Sequence, residues 1–158
     1  MVKVVAAILA VVVLVFMVQR AFAGKDVWQE NLAQGAAFLE QNKTKDGVIT
    51  TASGLQYLVL QEGTGTEKPG PRDKVKVSYH GTLLDGTVFD SSVERGRPIE
   101  FGVNQVIKGW QEGLQLMTVG EKIRMFIPSE LAYGNRAAGR LITPGSTLIF
   151  EVELLGIK

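Results

Sequence analysis

The chain has 158 residues, 18 of them glycine, and carries a formal net charge of +1. This length suits one domain with an extension, and it is enough to bury a full core without crosslinks. Because the sequence contains no cysteine, disulfides, thiolate metal sites and cysteine nucleophiles are excluded. The near-neutral charge gives no reason to expect a nucleic-acid partner, and a single histidine, His80, does not support a metal cluster.

The N-terminal segment is strongly apolar. Residues 4–18 are uninterrupted apolar residues that follow Lys3. The run is shorter than the roughly 20 residues of a membrane-spanning helix, and the Ala-Phe-Ala sequence at 21–23 is an A-x-A cleavage pattern. We therefore expect residues 1–23 to be a secretory signal peptide or, if uncleaved, a membrane anchor, with a buried core helix as the remaining alternative. Either of the first two places the rest of the chain outside the cytoplasmic membrane.

Residues 24–47 have the pattern of a short amphipathic helix. Asp26 is a suitable N-cap, and Asp46-Gly47 is a turn signal at the other end. The apolar stripe is spaced by about one turn and consists of Trp28, Leu32, Ala36 and Leu39. One helix cannot bury its own stripe, so it must dock on the following domain, pair with a second copy, or lie against the membrane. Basic residues do not dominate the polar face, which disfavours the membrane surface and leaves docking and pairing open.

Residues 48–158 combine several alternating strands with one helix. Strands are predicted at 48–51, 55–60, 74–80, 87–90, 122–127 and 147–157. Asp85-Gly86 is a strong hairpin turn. Between them lies a helix from about Ile107 to Met117, in which Trp110 and Leu114 share the face of Met117. The pattern predicts an α+β fold, with a twisted antiparallel sheet wrapped on one central helix.

The usual signatures of nucleophilic, phosphate and acid–base chemistry are absent from the sequence. No G-x-S-x-G motif accompanies Ser91-Ser92, and one histidine is a thin basis for a catalytic triad. The glycine-rich turn at 63–66 lacks a downstream Gly-Lys-Ser/Thr, and the carboxylates show no paired spacing. We expect no metal and no cofactor.

A set of apolar residues in loops and at strand ends remains, with Asp90 and Arg95 between them. Its members are Tyr79, Phe89, Ile99, Phe101, Val106, Ile107, Trp110, Tyr133, Ile142 and Phe150. Individually, each is more often a core residue than a site residue. Collectively, they predict an apolar pocket with a few placed polar groups.

Five linked motifs resemble the FKBP-type peptidyl-prolyl isomerases. They lie at 77–81, 85–92, 106–113, 127–134 and 148–154, and the match extends over roughly residues 54–158. The sequence before this match resembles the bacterial envelope branch of the family that is related to macrophage infectivity potentiators, at Phe38-Leu39, Asp46-Gly47-Val48 and 53–57. Members of that branch usually carry a longer helical dimerisation region. The resemblance implies a location in the periplasm or on the outer face of the cytoplasmic membrane, and it makes a homodimer one alternative.

The resemblance also implies roles for individual residues. Asp90, Tyr133 and Ile107 would be the catalytic set: Ile107 through its backbone N–H, Tyr133 through its hydroxyl, and Asp90 as a polar contact near the amide. The residues implied to bind substrate are Tyr79, Phe89, Arg95, Ile99, Val106, Trp110, Ile142 and Phe150, with Trp110 as the pocket floor and Arg95 holding Asp90. Ile99 and Ala138 depart from the common pattern, since many relatives have an aromatic at the first position and some have a histidine at the second.

The function implied is cis-trans isomerisation of X-Pro bonds in exported proteins, without covalent catalysis. Its partners would be proline-containing unfolded or partly folded polypeptides and the macrolide inhibitors of the family. One alternative is a holdase-type chaperone or peptide-binding module that uses the same pocket without turnover. Another is a structural protein anchored by residues 4–18, with a vestigial pocket.

Overall fold

The computed structural model describes residues 27–158, so the signal or anchor expected at 1–23 and the N-cap expected at Asp26 lie outside the described residues. The first described element, helix α1, covers 27–42. Within the described part of the chain, no helix is both long enough and apolar enough to cross a membrane.

A seven-stranded antiparallel sheet forms the body of the domain. Its strands are β1 (Ile49–Thr50), β2 (Gln56–Gln61), β3 (Lys74–Thr82), β4 (Val88–Ser91), β5 (Ile99–Gly102), β6 (Lys122–Ile127) and β7 (Leu148–Ile157). The order across the sheet is β1-β2-β6-β7-β3-β4, and β5 also pairs with β3. β5 was not predicted, because its four residues are too short to show a period and are recruited by pairing with Lys74–Val77.

Helix α2 (Lys108–Leu116) packs on one face of the sheet and completes the core. The alternation that predicted the strands is also the alternation of burial: Val75, Val77 and Tyr79 of β3 point inward and are at most 6% exposed. Gly109 and Gly113 allow α2 to approach β6 closely, since a Cβ on Gly113 would collide with the sulfur of Met125. The predicted α+β fold, a sheet around one central helix, is confirmed.

Helix α1 packs on the opposite face of the sheet, where Phe126 of β6 points away from the core. The Phe38 and Phe126 rings lie 5.8 Å apart between centroids. Asn42 Nδ2 donates to Gln56 Oε1 at 2.8 Å, and Gln56 Nε2 donates to the carbonyl of Leu39 at 2.9 Å. Both amide side chains are buried, so these hydrogen bonds hold the end of α1 on the sheet. Of the two arrangements left open for this helix, the described contacts are those of docking.

Candidate functional site

A cavity of about 590 Å³ opens between the sheet and the start of α2. Its walls come from distant parts of the chain: Tyr79, Asp90, Ile99, Phe101, Gln105, Val106, Ile107, Trp110, Tyr133 and Phe150. Tyr79 of β3 and Phe150 of β7 belong to the residues that alternate toward the core along their strands. Their side chains therefore lie beside α2 and line the cavity. The cavity therefore opens into the core of a single domain.

Trp110 forms the floor of this cavity. It is only 5% exposed and contacts three aromatic rings. The rings of Tyr79 and Phe150 meet it edge to face, with centroid distances of 5.3 and 5.1 Å, and the Phe101 ring lies tilted at 5.5 Å. These geometries suit the aromatic quadrupoles and fix the floor rigidly. The indole Nε1 is buried and has no hydrogen-bond partner among the described residues.

One edge of the cavity is polar. The Tyr79 hydroxyl donates to Asp90 Oδ2 at 2.5 Å, and Arg95 Nη1 lies 2.5 Å from Asp90 Oδ1. Arg95 Nη2 also donates to the Tyr79 oxygen at 2.9 Å, and its guanidinium lies over the Tyr79 ring. The three side chains therefore form a closed network that holds the Asp90 carboxylate at the cavity wall.

The network shifts the pKa values of its members apart. Burial raises the pKa of Tyr79 above its usual value, and the adjacent Asp90 adds to the effect. Partial burial alone would raise the pKa of Asp90, but the hydrogen bonds from Tyr79 and Arg95 together hold it below its usual value. At neutral pH the site therefore presents an ionised carboxylate and a neutral phenol.

The mouth of the cavity offers two further polar groups. Ile107 is the N-cap of α2, and its backbone N–H donates to no described residue. The neighbouring Val106 carbonyl accepts from Gln111 Nε2 at 2.7 Å, which fixes the backbone at this position. Tyr133, after the short 3₁₀ helix Ser129–Leu131, is 41% exposed at the rim.

A second cavity of about 450 Å³ adjoins the first. The two share Asp90, Tyr133 and Phe150, so together they form one groove. The remaining wall of the second cavity consists of Phe89 and the turn from Ala138 to Ile142. Ala138 and Ile142 close this turn with backbone hydrogen bonds of 2.9 and 3.3 Å.

Most of the residues predicted for the site come together here. Nine of them line the first cavity: Tyr79, Asp90, Ile99, Phe101, Val106, Ile107, Trp110, Tyr133 and Phe150. Phe89 and Ile142 line the second cavity, whereas Arg95 lines neither and lies behind Asp90. Gln105, Arg140 and Leu141 also line the groove and were not predicted as site residues.

Comparison with known proteins gives the family. A family model described as FKBP-type peptidyl-prolyl cis-trans isomerase matches residues 65–155. The chain belongs to the FKBP-type peptidyl-prolyl cis-trans isomerase family. A second model, for the domain amino-terminal to FKBP-type isomerases, matches residues 6–59. The resemblance found in the sequence motifs is therefore confirmed.

Individual FKBP relatives are similar over most of the chain. The outer membrane protein MIP of Legionella longbeachae is 52% identical over 130 residues, covering 82% of this chain and 55% of the relative. The FKBP-type 22 kDa peptidyl-prolyl cis-trans isomerase of Escherichia coli is 56% identical, covering 82% of this chain and 63% of the relative. The chain thus spans between half and two thirds of the length of these curated relatives.

The fold is also that of solved FKBP structures. The crystal structure of FkpA from Escherichia coli superposes with a TM-score of 0.84 at 40% identity, covering 95% of this chain and 71% of that one. A peptidyl-prolyl cis-trans isomerase from Pseudomonas syringae pv. tomato superposes with a TM-score of 0.76, also at 40% identity, covering 82% of this chain and 95% of that one.

Proposed function

We propose that this chain catalyses cis-trans isomerisation of X-Pro peptide bonds in unfolded or partly folded exported polypeptides. The observation that carries the proposal is the Trp110-floored cavity, which is walled almost entirely by apolar and aromatic side chains and has one ionised carboxylate at its edge. Membership of the FKBP family supports the same reaction.

Such a cavity can accelerate bond rotation without forming a covalent bond. The barrier to rotation about a peptide bond is roughly 20 kcal/mol because resonance stabilises the planar amide. Rotation about an unassisted X-Pro bond takes tens to hundreds of seconds. A twisted amide is less delocalised and less polar than a planar one, so an apolar cavity disfavours the planar ground state relative to the transition state. Each tenfold gain in rate requires only about 1.4 kcal/mol.

In this proposal the proline ring enters the first cavity and rests on Trp110. The free N–H of Ile107 at the mouth donates to a substrate carbonyl, and the exposed hydroxyl of Tyr133 holds the substrate backbone in its turned geometry. Asp90 makes a polar contact near the amide, with Tyr79 and Arg95 keeping its carboxylate fixed. Phe89, Ile99, Val106, Ile142 and Phe150 provide the apolar walls.

We also propose that the protein acts in the periplasm or on the outer face of the cytoplasmic membrane. The apolar run at 4–18 and the Ala-Phe-Ala sequence at 21–23 support export, with residues 1–23 either cleaved or retained as an anchor. By sequence, 24–47 is the helical unit and 48–158 the isomerase domain. Phe38 of α1 packs on Phe126 of the sheet, which supports docking of this helix on the isomerase domain.

The test is a coupled isomerisation assay on a short X-Pro peptide, with and without a macrolide inhibitor, using the full chain in mild detergent. We expect inhibitable acceleration, and we expect Asp90→Ala and Tyr133→Phe to lower kcat/KM while the protein stays folded. Tyr57→Phe is the matched control, because the Tyr57 side chain packs against the core and lies outside both cavities.

A folded chain without acceleration would refute the isomerase proposal. The exposed apolar side chains Val93, Tyr133 and Leu141, which are 60%, 41% and 45% exposed, would then direct attention to the holdase alternative. Suppression of client aggregation in the absence of turnover would identify that function.

A further inference from the structure

Helix α1 contacts the loop of the groove as well as the sheet. Asn31 Nδ2 donates to Thr143 Oγ1 at 2.8 Å and to the carbonyl of Pro144 at 2.9 Å. Trp28 lies so close to Gly145 that a Cβ there would come within 2.7 Å of the Trp28 carbonyl oxygen. The first half of α1 is therefore attached to the turn at 143–146, while its second half is attached to the sheet through Asn42.

The turn at 143–146 is also connected, through the backbone, to residues that line the groove. The backbone N–H of Gly145 donates to the carbonyl of Gly134 at 2.8 Å, directly after Tyr133. On its other side, Thr143 directly follows Ile142, whose backbone is paired with Ala138. A displacement of this turn would therefore be passed to both Tyr133 and Ile142, which line the groove.

A small cavity lies at a second place where α1 adjoins the loop of the groove. It has a volume of about 280 Å³ and lies between α1, the β3–β4 hairpin and the loop, with Asn31, Gln34, Leu83 and Leu141 among its lining residues. Leu141 also lines the second cavity of the groove. Leu141 therefore lines both the space beside α1 and the groove.

The loop at 133–147 contains glycines that allow many backbone conformations, so contacts from outside the loop are needed to hold it in one arrangement. Gly134, Gly139 and Gly145 adopt positive φ angles of 61°, 59° and 80°. Glycine loses more conformational freedom on ordering than any other residue, so this loop gives up much entropy when it adopts the arrangement that shapes the groove. The hydrogen bonds from Asn31 offset part of that loss.

We propose that Asn31 is a positioning residue of the isomerase site, acting through the loop at 133–147 and not on the substrate itself. This inference rests on the proposed isomerase function. When only a fraction of molecules has the loop in place, the apparent affinity for substrate falls by that fraction. Bound substrate reorders the loop, so loss of the attachment raises KM and leaves kcat nearly unchanged.

The experiment compares three variants of the full chain in mild detergent. Asn31→Ala removes both hydrogen bonds, and Asn31→Asp keeps the shape and can accept from the Thr143 hydroxyl but cannot donate to the Pro144 carbonyl. Asn42→Ala is the matched control, because it removes an equally short amide contact of α1 at the sheet, away from the loop. The readouts are kcat and KM on a short X-Pro peptide, and amide hydrogen exchange across 134–146.

We expect Asn31→Ala to raise KM three- to tenfold with kcat within twofold of wild type, and to speed exchange at 134–146. Asn31→Asp should raise KM at least as much as alanine, because a carboxylate oxygen would face the Pro144 carbonyl oxygen. Asn42→Ala should lower the melting temperature without raising KM. Unchanged KM and exchange in Asn31→Ala, or an equal rise in KM for Asn42→Ala, would overturn the inference alone. An inactive wild-type chain would overturn the proposed function and, with it, this role of Asn31.

Discussion

Replacing Tyr79 by phenylalanine tests the contribution of the polar edge of the cavity separately from that of its apolar walls. The substitution keeps the ring and therefore its edge-to-face contact with Trp110. It removes the hydroxyl that donates to Asp90 at 2.5 Å and accepts from Arg95 at 2.9 Å. The change tests whether that hydroxyl holds the carboxylate in place.

The loss of stability follows from the exposure of the partners. A hydrogen bond to an ionised group contributes about 1.5–3 kcal/mol net. The Asp90 and Arg95 side chains are each 44% exposed, so water replaces part of what is lost. We therefore expect the free energy of unfolding to fall by about 1–2 kcal/mol, equivalent to a melting temperature lower by about 5 °C.

The loss should also depend on pH. The pKa of Asp90 is held below its ordinary 3.8, so its stabilising contribution is present above that value and is lost as the pH falls through the lower folded-state value. The difference between wild type and Tyr79→Phe should be full at pH 7 and should shrink towards pH 3. Urea unfolding at several pH values measures it, with Tyr57→Phe as the control. Equal stabilities at pH 7, or a difference that grows towards acid, would refute the reasoning.

Three further changes test packing and charge. Trp110→Ala should destabilise the domain by about 3–5 kcal/mol in urea unfolding, because it removes the buried floor of the cavity. Gly113→Ala should destabilise it by about 1–3 kcal/mol, since the new methyl meets the sulfur of Met125, whereas Gly156→Ala, with open space around it, should be nearly neutral. Arg140→Glu should shift the preference of kcat/KM by a few-fold, from peptides with an acidic residue beside proline towards those with a lysine, and added salt should weaken the shift.

The sequence predicted the helices and strands in which the spacing of apolar residues follows the spacing of buried positions. The alternation runs through β3 and through most of β6 and β7, because each strand has one face in the core, and α2 shows the helical stripe that covers it. Phe126 breaks the pattern in β6 because it is buried on the other face, against Phe38 of α1. β5 escaped prediction because Ile99–Gly102 is too short to reveal a period. The stripe of α1 indicated that something buries it, but a stripe carries no information about its partner. The pairing of Asn42 with Gln56 is visible only once both lie in one structure.

The site was predictable to the extent that its residues belong to motifs. Tyr79, Asp90, Trp110 and Tyr133 were recovered together, because a resemblance over five motifs ties their positions to one another. Gln105 was missed because its place at the cavity follows from the 3₁₀ turn Val103–Gln105, which has no sequence period. Leu141 resembled any exposed loop residue, and its position between two cavities depends on how α1 lies against the loop.

The pairing of β3 with β7 has a consequence for how the protein is made. β3 pairs with β7 from Val75 opposite Ile157 to Thr82 opposite Ile149, so this pair of strands joins segments that are far apart in sequence. Such non-local pairing slows folding, because the intervening chain must be closed before any contact repays its entropy. During synthesis, the complete sheet and the Phe150 wall of the Trp110 cavity cannot form until Leu148–Ile157 has been added. A nascent chain that stops short of β7 would leave β3 and β6 with unpaired edges, which favours aggregation.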